Sequence, residues 1–155
     1  MAATSTNKQP LLVDRVLHYV VNLDTAAVAA LDIAGTNTAL LIVDGTTSDG
    51  AIIEDVYSIA RGVAASDINL YLSSSNDYLR PNEGVLIGTF KSATTIGEVT
   101  HFESMPRILA PFPHTGSESQ FQALYLPKGK CLWAARQSST ISTDGPLLGC
   151  QGGWY

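Results

Sequence analysis

Charge is the scarcest ingredient of this 155-residue chain: 15% of it is Asp, Glu, Lys or Arg, against a usual share of about 25%. With 45% hydrophobic residues beside so few charges, disorder is excluded, because a disordered chain combines few apolar groups with many charges. Basic residues are few and scattered. Nine Lys and Arg stand singly, the net charge is −5 and the pI lies near 4.9. A chain that grips phosphates clusters its cations so as to release counterions, so no nucleic-acid partner is expected. Long apolar runs are missing too. The longest, Ala26–Leu31 and Ala39–Val43, fall far short of the ~20 residues of a membrane-spanning helix, and no membrane partner is expected. Met1–Gln9 lacks a basic n-region and an apolar h-region, so no secretory leader is expected. Asn-X-Ser/Thr glycan acceptors are absent. The two cysteines, Cys131 and Cys150, sit in separate apolar stretches without metal-ligand spacing. Two buried free thiols in a reducing cytoplasm are the expectation, and a disulfide is the alternative.

What is present is Ser, Thr, Asn, Gly and small apolar residues. A surface made of these is cheap to desolvate, which suits burial against protein partners. A sandwich with a Ser/Thr-rich exterior explains the composition equally well. The length fits one domain with a sizeable core.

Met1–Pro10 is polar, small and without periodicity, and reads as a flexible arm ahead of a single domain spanning 11–155. Leu11–Leu23 is rich in β-branched and aromatic residues and predicts a strand. Asp24–Ile33 is the best helix candidate, with Asp24 as N-cap, Ala in the body and Gly35 as the stop; an extended insertion fits it equally. From Thr38 the pattern is strand, turn, strand. Thr38–Val43 ends at Asp44-Gly45, and Ala51–Arg61 sets Ile53, Asp55, Tyr57 and Ile59 against Ile52, Glu54, Val56 and Ser58. Ile68–Ser73 alternates cleanly, with Ile68, Leu70 and Leu72 on one face. Turn signals at Ser74–Tyr78 and Arg80–Gly84 lead to strands at Val85–Phe90 and Ile96–Phe102. The three prolines of Pro106–Pro113 exclude a central strand. Phe121–Leu126 and Lys130–Gln137 flank the Pro127-Lys128-Gly129 hairpin, and Leu147–Tyr155 closes the chain.

Eight or nine short strands with regular punctuation and no long crossover helices predict an all-β fold: a two-sheet antiparallel sandwich, jelly-roll-like, with at most one short helix. No repeat of fixed period is visible, which excludes propeller and solenoid.

Catalysis requires a nucleophile, a base and an orienting group brought together. His18 and His101 lie inside strand patterns and read as packed or surface strand residues. His114 follows Pro113 in a loop. No zinc spacing occurs. Asp44–Gly50 superficially resembles a calcium loop but lacks the further oxygen ligands and the closing Glu, so Asp-Gly turns explain it better. Gly88–Ser92 has Lys-Ser without the glycines of a phosphate loop. Glu54 and Asp55 are neighbours in a strand and are expected on opposite faces, so they make no carboxylate pair. No catalytic residue, metal site or cofactor is expected.

The remaining candidates are contact elements. Leu109, Pro111, Phe112 and His114 lie in or beside a proline-locked segment that would lose little entropy on binding; tucking of Phe112 under the sandwich is the bland alternative. Asn7, Lys8, Gln9 and Pro10 end the arm, which either frays or orders on a neighbouring subunit. Trp154 and Tyr155 either dock as part of a final strand or anchor in a neighbour.

Three stretches resemble a class of small tailed-bacteriophage virion proteins of β-sandwich type: Asp55–Leu72 (DVYSIARGVAASDINLYL), Leu124–Ala135 (LYLPKGKCLWAA) and the terminal Gly152-Gly153-Trp154-Tyr155. They cover the middle and the last third of the chain, and no single motif among them is diagnostic. The resemblance implies a capsid decoration (cement) protein on the exterior of a phage head, or else a tail, neck or fibre component. The implied partners are the major capsid protein or another virion protein, and copies of the chain itself as dimer or trimer. A reading of another class is a sugar-binding sandwich using Trp133 and Trp154 as stacking planes.

Overall fold

The computed structural model describes residues 15–24, 27–28, 39–77, 79, 84–102, 123–137 and 144–155. Among these, ten strands follow one another: β1 (Arg15–Asn22), β2 (Ala27–Val28), β3 (Leu40–Asp44), β4 (Gly50–Ile59), β5 (Asp67–Ser73), β6 (Val85–Lys91), β7 (Val99–His101), β8 (Leu124–Pro127), β9 (Cys131–Gln137) and β10 (Leu147–Trp154). They form two sheets. The first runs β1–β10–β4, with β8 and β7 sharing the far edge of β4; the second runs β6–β5–β9, with β3 and β2 sharing the far edge of β9.

The pairings are nested. β1 pairs with β10, β3 with β9, β4 with β8 and β5 with β6, all antiparallel. This is one long antiparallel ribbon. It is rolled up by two further pairings, β10 with β4 and β9 with β5. A ribbon rolled in this way is a jelly roll, and the expected two-sheet sandwich is the fold. The one exception to antiparallel pairing is the two-residue β2, parallel to the end of β9.

The core lies between the sheets. Leu17, Ile53, Val56, Leu124, Leu126, Leu148 and Cys150 of the first sheet meet Ile42, Val43, Ile68, Leu70, Ile87, Leu132 and Ala134 of the second. Each fully buried Leu or Ile contributes about 1.5–3 kcal/mol. Two consecutive core residues from β3, Ile42 and Val43, both face inward because a bulge interrupts the ladder between Leu41 and Val43.

The second sheet is buried on both faces. On its outer side Tyr71, Cys131, Trp133 and Ala135 pack with Leu79 from the β5–β6 connection, and Trp133 Nε1 donates to the Ser75 carbonyl at 3.0 Å. Cys131 and Cys150 are free, buried thiols in different clusters, which settles the disulfide alternative.

The helix candidate at 24–33 is not helical where it is described: Ala27–Val28 is strand. Arg136, at the end of β9, donates from Nε to Leu23 O at 3.1 Å and from Nη2 to Asp24 O at 3.3 Å, which draws this part of the chain along β9. Among the described residues the Asp24 carboxylate accepts from Asn22 Nδ2 and Arg61 Nη1. Only Val99–His101 of the predicted strand 96–102 is extended, since Gly97 (φ 85°) turns the chain with its N–H on Ala60 O. The arm, residues 11–14, the Arg80–Glu83 part of the predicted turn and Pro106–Pro113 lie outside the described residues.

Candidate functional site

An antiparallel sheet with one solvated face normally alternates apolar inward and polar outward. The outer face of the first sheet departs from this. Register fixes its rows. Val20 lies beside Gly149, Gly149 beside Tyr57 and Tyr57 beside His101; the next row is His18, Gln151 and Asp55; the next is Val16, Gly153, Ile52 and Tyr125. At the opposite end Asn22, Leu147, Ile59 and Val99 form a fourth row. Val16 is 77% exposed, and Val20, Val99 and Tyr125 are about half exposed.

A bulge in β4 shapes this face. The ladder with β10 skips Glu54, since Gln151 pairs with Asp55 and Gly152 with Ile53. Ile53 and Val56 are therefore both fully buried, and Glu54 and Asp55 both stay on the outer side. The expectation that these carboxylates face opposite ways is corrected, as is the single face assigned to Ile53, Asp55, Tyr57 and Ile59. Strict alternation cannot survive an extra residue in one strand. Gly152 makes the bulge feasible, because a Cβ there would overlap the Ile52 carbonyl oxygen.

At the centre, the Tyr57 ring lies across Gly149, where any side chain would collide with it. The Tyr57 hydroxyl is 3.4 Å from His18 Nε2, and its ring centroid is 6.1 Å from that of His101. His101 Nδ1 sits 3.0 and 3.1 Å from the two Asp55 carboxylate oxygens. This exposed pair contributes little stability, and it sets the His101 ring beside the Asp55 carboxylate. Both predicted strand histidines are thus surface residues. Behind them, burial first and the Asp55 charge second push the Cys150 thiol up to about 12, so it is no nucleophile at neutral pH.

At the end of the face Tyr155 joins Tyr125, with ring centroids 6.2 Å apart. Burial, with Tyr125 and Glu54 nearby, raises the Tyr155 phenol. Tyr155 N–H donates to Gly50 O, and Tyr155 O accepts from Asp49 N–H. Trp154 packs against the core from the inner side, with the Arg15 guanidinium 5.4 Å over its ring. These two contact candidates are therefore docked in the sheet, and Tyr155 adds to the outer face. Asn7, Lys8, Gln9, Pro10, Leu109, Pro111, Phe112 and His114 lie outside the described residues.

The Asp44–Gly50 loop is a turn. Thr46 N–H donates to Asp44 Oδ1 at 2.9 Å, Asn76 Nδ2 donates to Oδ2 at 3.2 Å, and Asp49 pairs with Lys128. Burial pushes the Asp44 carboxyl up, but these hydrogen bonds outweigh it and the net shift is downward. Among the described residues no three His, Cys, Asp or Glu side chains stand close enough to share a metal ion. Trp133, at 4% exposure, presents no plane to a sugar.

This face was not among the contact elements expected from the sequence. Its signals were there: Val16 and Val20, one and five residues after the Arg15 that opens β1, and the glycines of β10, which mark close approach within a strand. Compared with protein-family models, with curated proteins and with solved structures, the chain matches none.

Proposed function

We propose that this chain is a structural virion protein, a capsid decoration (cement) protein that binds the outside of a phage head and stabilises contacts between capsomers. The observation that carries this reading is the weakly charged, partly apolar outer face of the first sheet, set on a rigid jelly roll. Contiguous exposed apolar surface on a soluble protein marks an interaction site. Jelly rolls recur in viral capsid domains and in lectins, so the fold is compatible with the role without selecting it. The resemblance of Asp55–Leu72, Leu124–Ala135 and the Gly-Gly-Trp-Tyr ending to small phage virion proteins points the same way. A cement subunit must stay dispersed until the shell exists and then gain from many weak, symmetric contacts. A net charge of −5 favours dispersal.

The test is to mix purified protein with undecorated capsids. Stoichiometric co-sedimentation and a raised disruption temperature are expected; intact capsids that retain no protein would refute the reading. Tail, neck or fibre placement is the alternative within the virion, and electron microscopy separates the two by copy number and position.

A further inference from the structure

We infer that the free edge of β1 takes up an extended, apolar segment of another protein, ending in a carboxylate, as an added strand of the first sheet. The other strand edges supply the comparison. An open edge invites pairing, and proteins guard it by shortness, bulges, Pro or charge. Among the described residues the remaining edges are guarded. β2, β7 and β8 have two, three and four residues, and β8 ends in Pro127. β3 is bulged between Leu41 and Val43 and ends in Asp44. β6 is bulged at Ile87, which its ladder with β5 skips, and ends in Lys91. β1 has none of these devices. Its eight residues pair with β10 from Arg15 to Asn22 without a register shift, and they include no Pro, Lys, Asp or Glu. On its other side β1 has no ladder partner among the described residues, so every second residue turns an N–H and a C=O outward.

The rim beside β1 specifies the occupant. Leu17, Tyr19 and Val21 form the inward row of β1, since Tyr19 pairs with Cys150 and Val21 with Leu148, both fully buried in the core. Tyr19 is nonetheless 44% exposed. The space between the sheets is therefore unfilled beside it, and an apolar side chain of an added strand fits there. Charge selects the end of the segment. β1 carries Arg15 at its start and no Lys, Asp or Glu. In an antiparallel match, the kind β1 already makes with β10, the last residue of the segment lies beside Arg15, where a carboxylate is favoured. Main-chain bonds then supply affinity and alternate side chains selectivity. A lone segment fits better than a second copy, which would bring another body of charge −5 to the edge. The inference is independent of the capsid reading, which rests on the outer face of the sheet, and it is tested without capsids.

The experiment is residue-resolved amide hydrogen exchange by NMR on the whole chain, alone and with a blocked synthetic peptide of about eight residues, Val alternating with Thr and Glu last. In the chain alone, alternate β1 amides are expected to exchange fast. The peptide is expected to protect them, with a Kd on the order of 10–100 µM. The same peptide N-methylated at alternate residues should bind at least ~10-fold more weakly, because its ladder donors are gone. Tyr19→Lys, which installs an inward-pointing charge as an edge guard, should also weaken binding at least ~10-fold. Val85→Lys on β6, where Val85 is 65% exposed, should bind like wild type. Circular dichroism checks folding, and Val21→Lys replaces Tyr19→Lys if that variant unfolds. β1 amides that are all protected in the chain alone overturn the inference: at every concentration, its own residues cover the edge; only at high concentration, a second copy does. No binding at ~1 mM peptide, or equal binding of the N-methylated peptide, overturns it as well.

Discussion

Replacing Gly149 with alanine places a methyl group where the Tyr57 ring now lies. β10 is held between β1 and β4, so the backbone at Gly149 has ladder partners on both sides and cannot retreat. The ring must move, giving up its packing on β10 and its approach to His18. Overpacking of this kind costs about 1–3 kcal/mol. For a domain of this size that corresponds to a fall in Tm of about 2–12 °C. The decisive measurement is a double-mutant cycle with Tyr57→Ala, by urea unfolding at one protein concentration, because any self-association makes apparent stability concentration-dependent. With the ring gone the methyl has room, and alanine gains about 0.5–1 kcal/mol over glycine within a strand. Gly149→Ala should then be neutral or stabilising, with a coupling energy of at least ~1 kcal/mol. Gly152→Ala is the contrast: its methyl meets the Ile52 carbonyl oxygen, so Tyr57→Ala should not relieve it. An equal cost for Gly149→Ala in both backgrounds would refute the packing argument.

Further outcomes follow from buried polar groups. Among the described residues the buried Ser58 hydroxyl finds no hydrogen-bond partner, so Ser58→Ala should raise stability by up to ~1 kcal/mol, read as a higher urea midpoint. Arg136→Met strips donors from the Leu23 and Asp24 carbonyls and should cost about 2–3 kcal/mol by the same measurement. Asp24 and Asp44 have depressed folded pKa values: burial raises each, but hydrogen bonds outweigh it, with the Arg61 charge adding at Asp24. The stability they supply is full above the unfolded value of about 3.9 and is lost as pH falls through the folded ones. Tm should therefore drop below about pH 4, less steeply in Asp44→Asn. For Cys150 the sign is opposite: raised to about 12, it stays protonated while the unfolded thiol ionises near pH 8.5, so it destabilises the fold as alkalinity rises. A thiol reagent at neutral pH should label neither cysteine until the chain unfolds.

Strand positions were legible because apolar or alternating runs stand between turns that carry Gly, Asp, Asn or Pro, although the hairpin expected at Pro127-Lys128-Gly129 is instead a crossing between sheets, β8 pairing with β4 and β9 with β3 and β5. β5 and β9 were placed almost to the residue by Ile68–Ser73 and Lys130–Gln137. What the sequence hid is whatever depends on a distant partner. Ala27–Val28 has helical composition, yet it is strand because Arg136, more than a hundred residues away, holds the chain beside it. The facing of Glu54 and Asp55 was lost to a bulge created jointly with Gly152 on another strand. Asn69 and Tyr71 alternate as an exposed face would, yet both are buried: Tyr71 packs in a cluster with Leu79 and Trp133, and Asn69 bonds the Tyr71 and Thr89 hydroxyls. The outer face of the first sheet escaped for the same reason: its residues come from β1, β4, β7, β8 and β10, and they become neighbours only once the ribbon is rolled.

That rolling has a kinetic side. β10 is an interior member of its sheet, so on the ribosome β1 and β4 must wait with open ladder edges until residues beyond 146 emerge. The β5–β6 hairpin, the one ladder among the described residues between consecutive strands, can close first, and pairing then spreads outward to strands of ever greater separation in the chain, ending with the β1–β10 joint. Such non-local closure is slow, and a ribosome stalled or terminated before Leu147 would release a sheet with its middle missing and every incentive to aggregate.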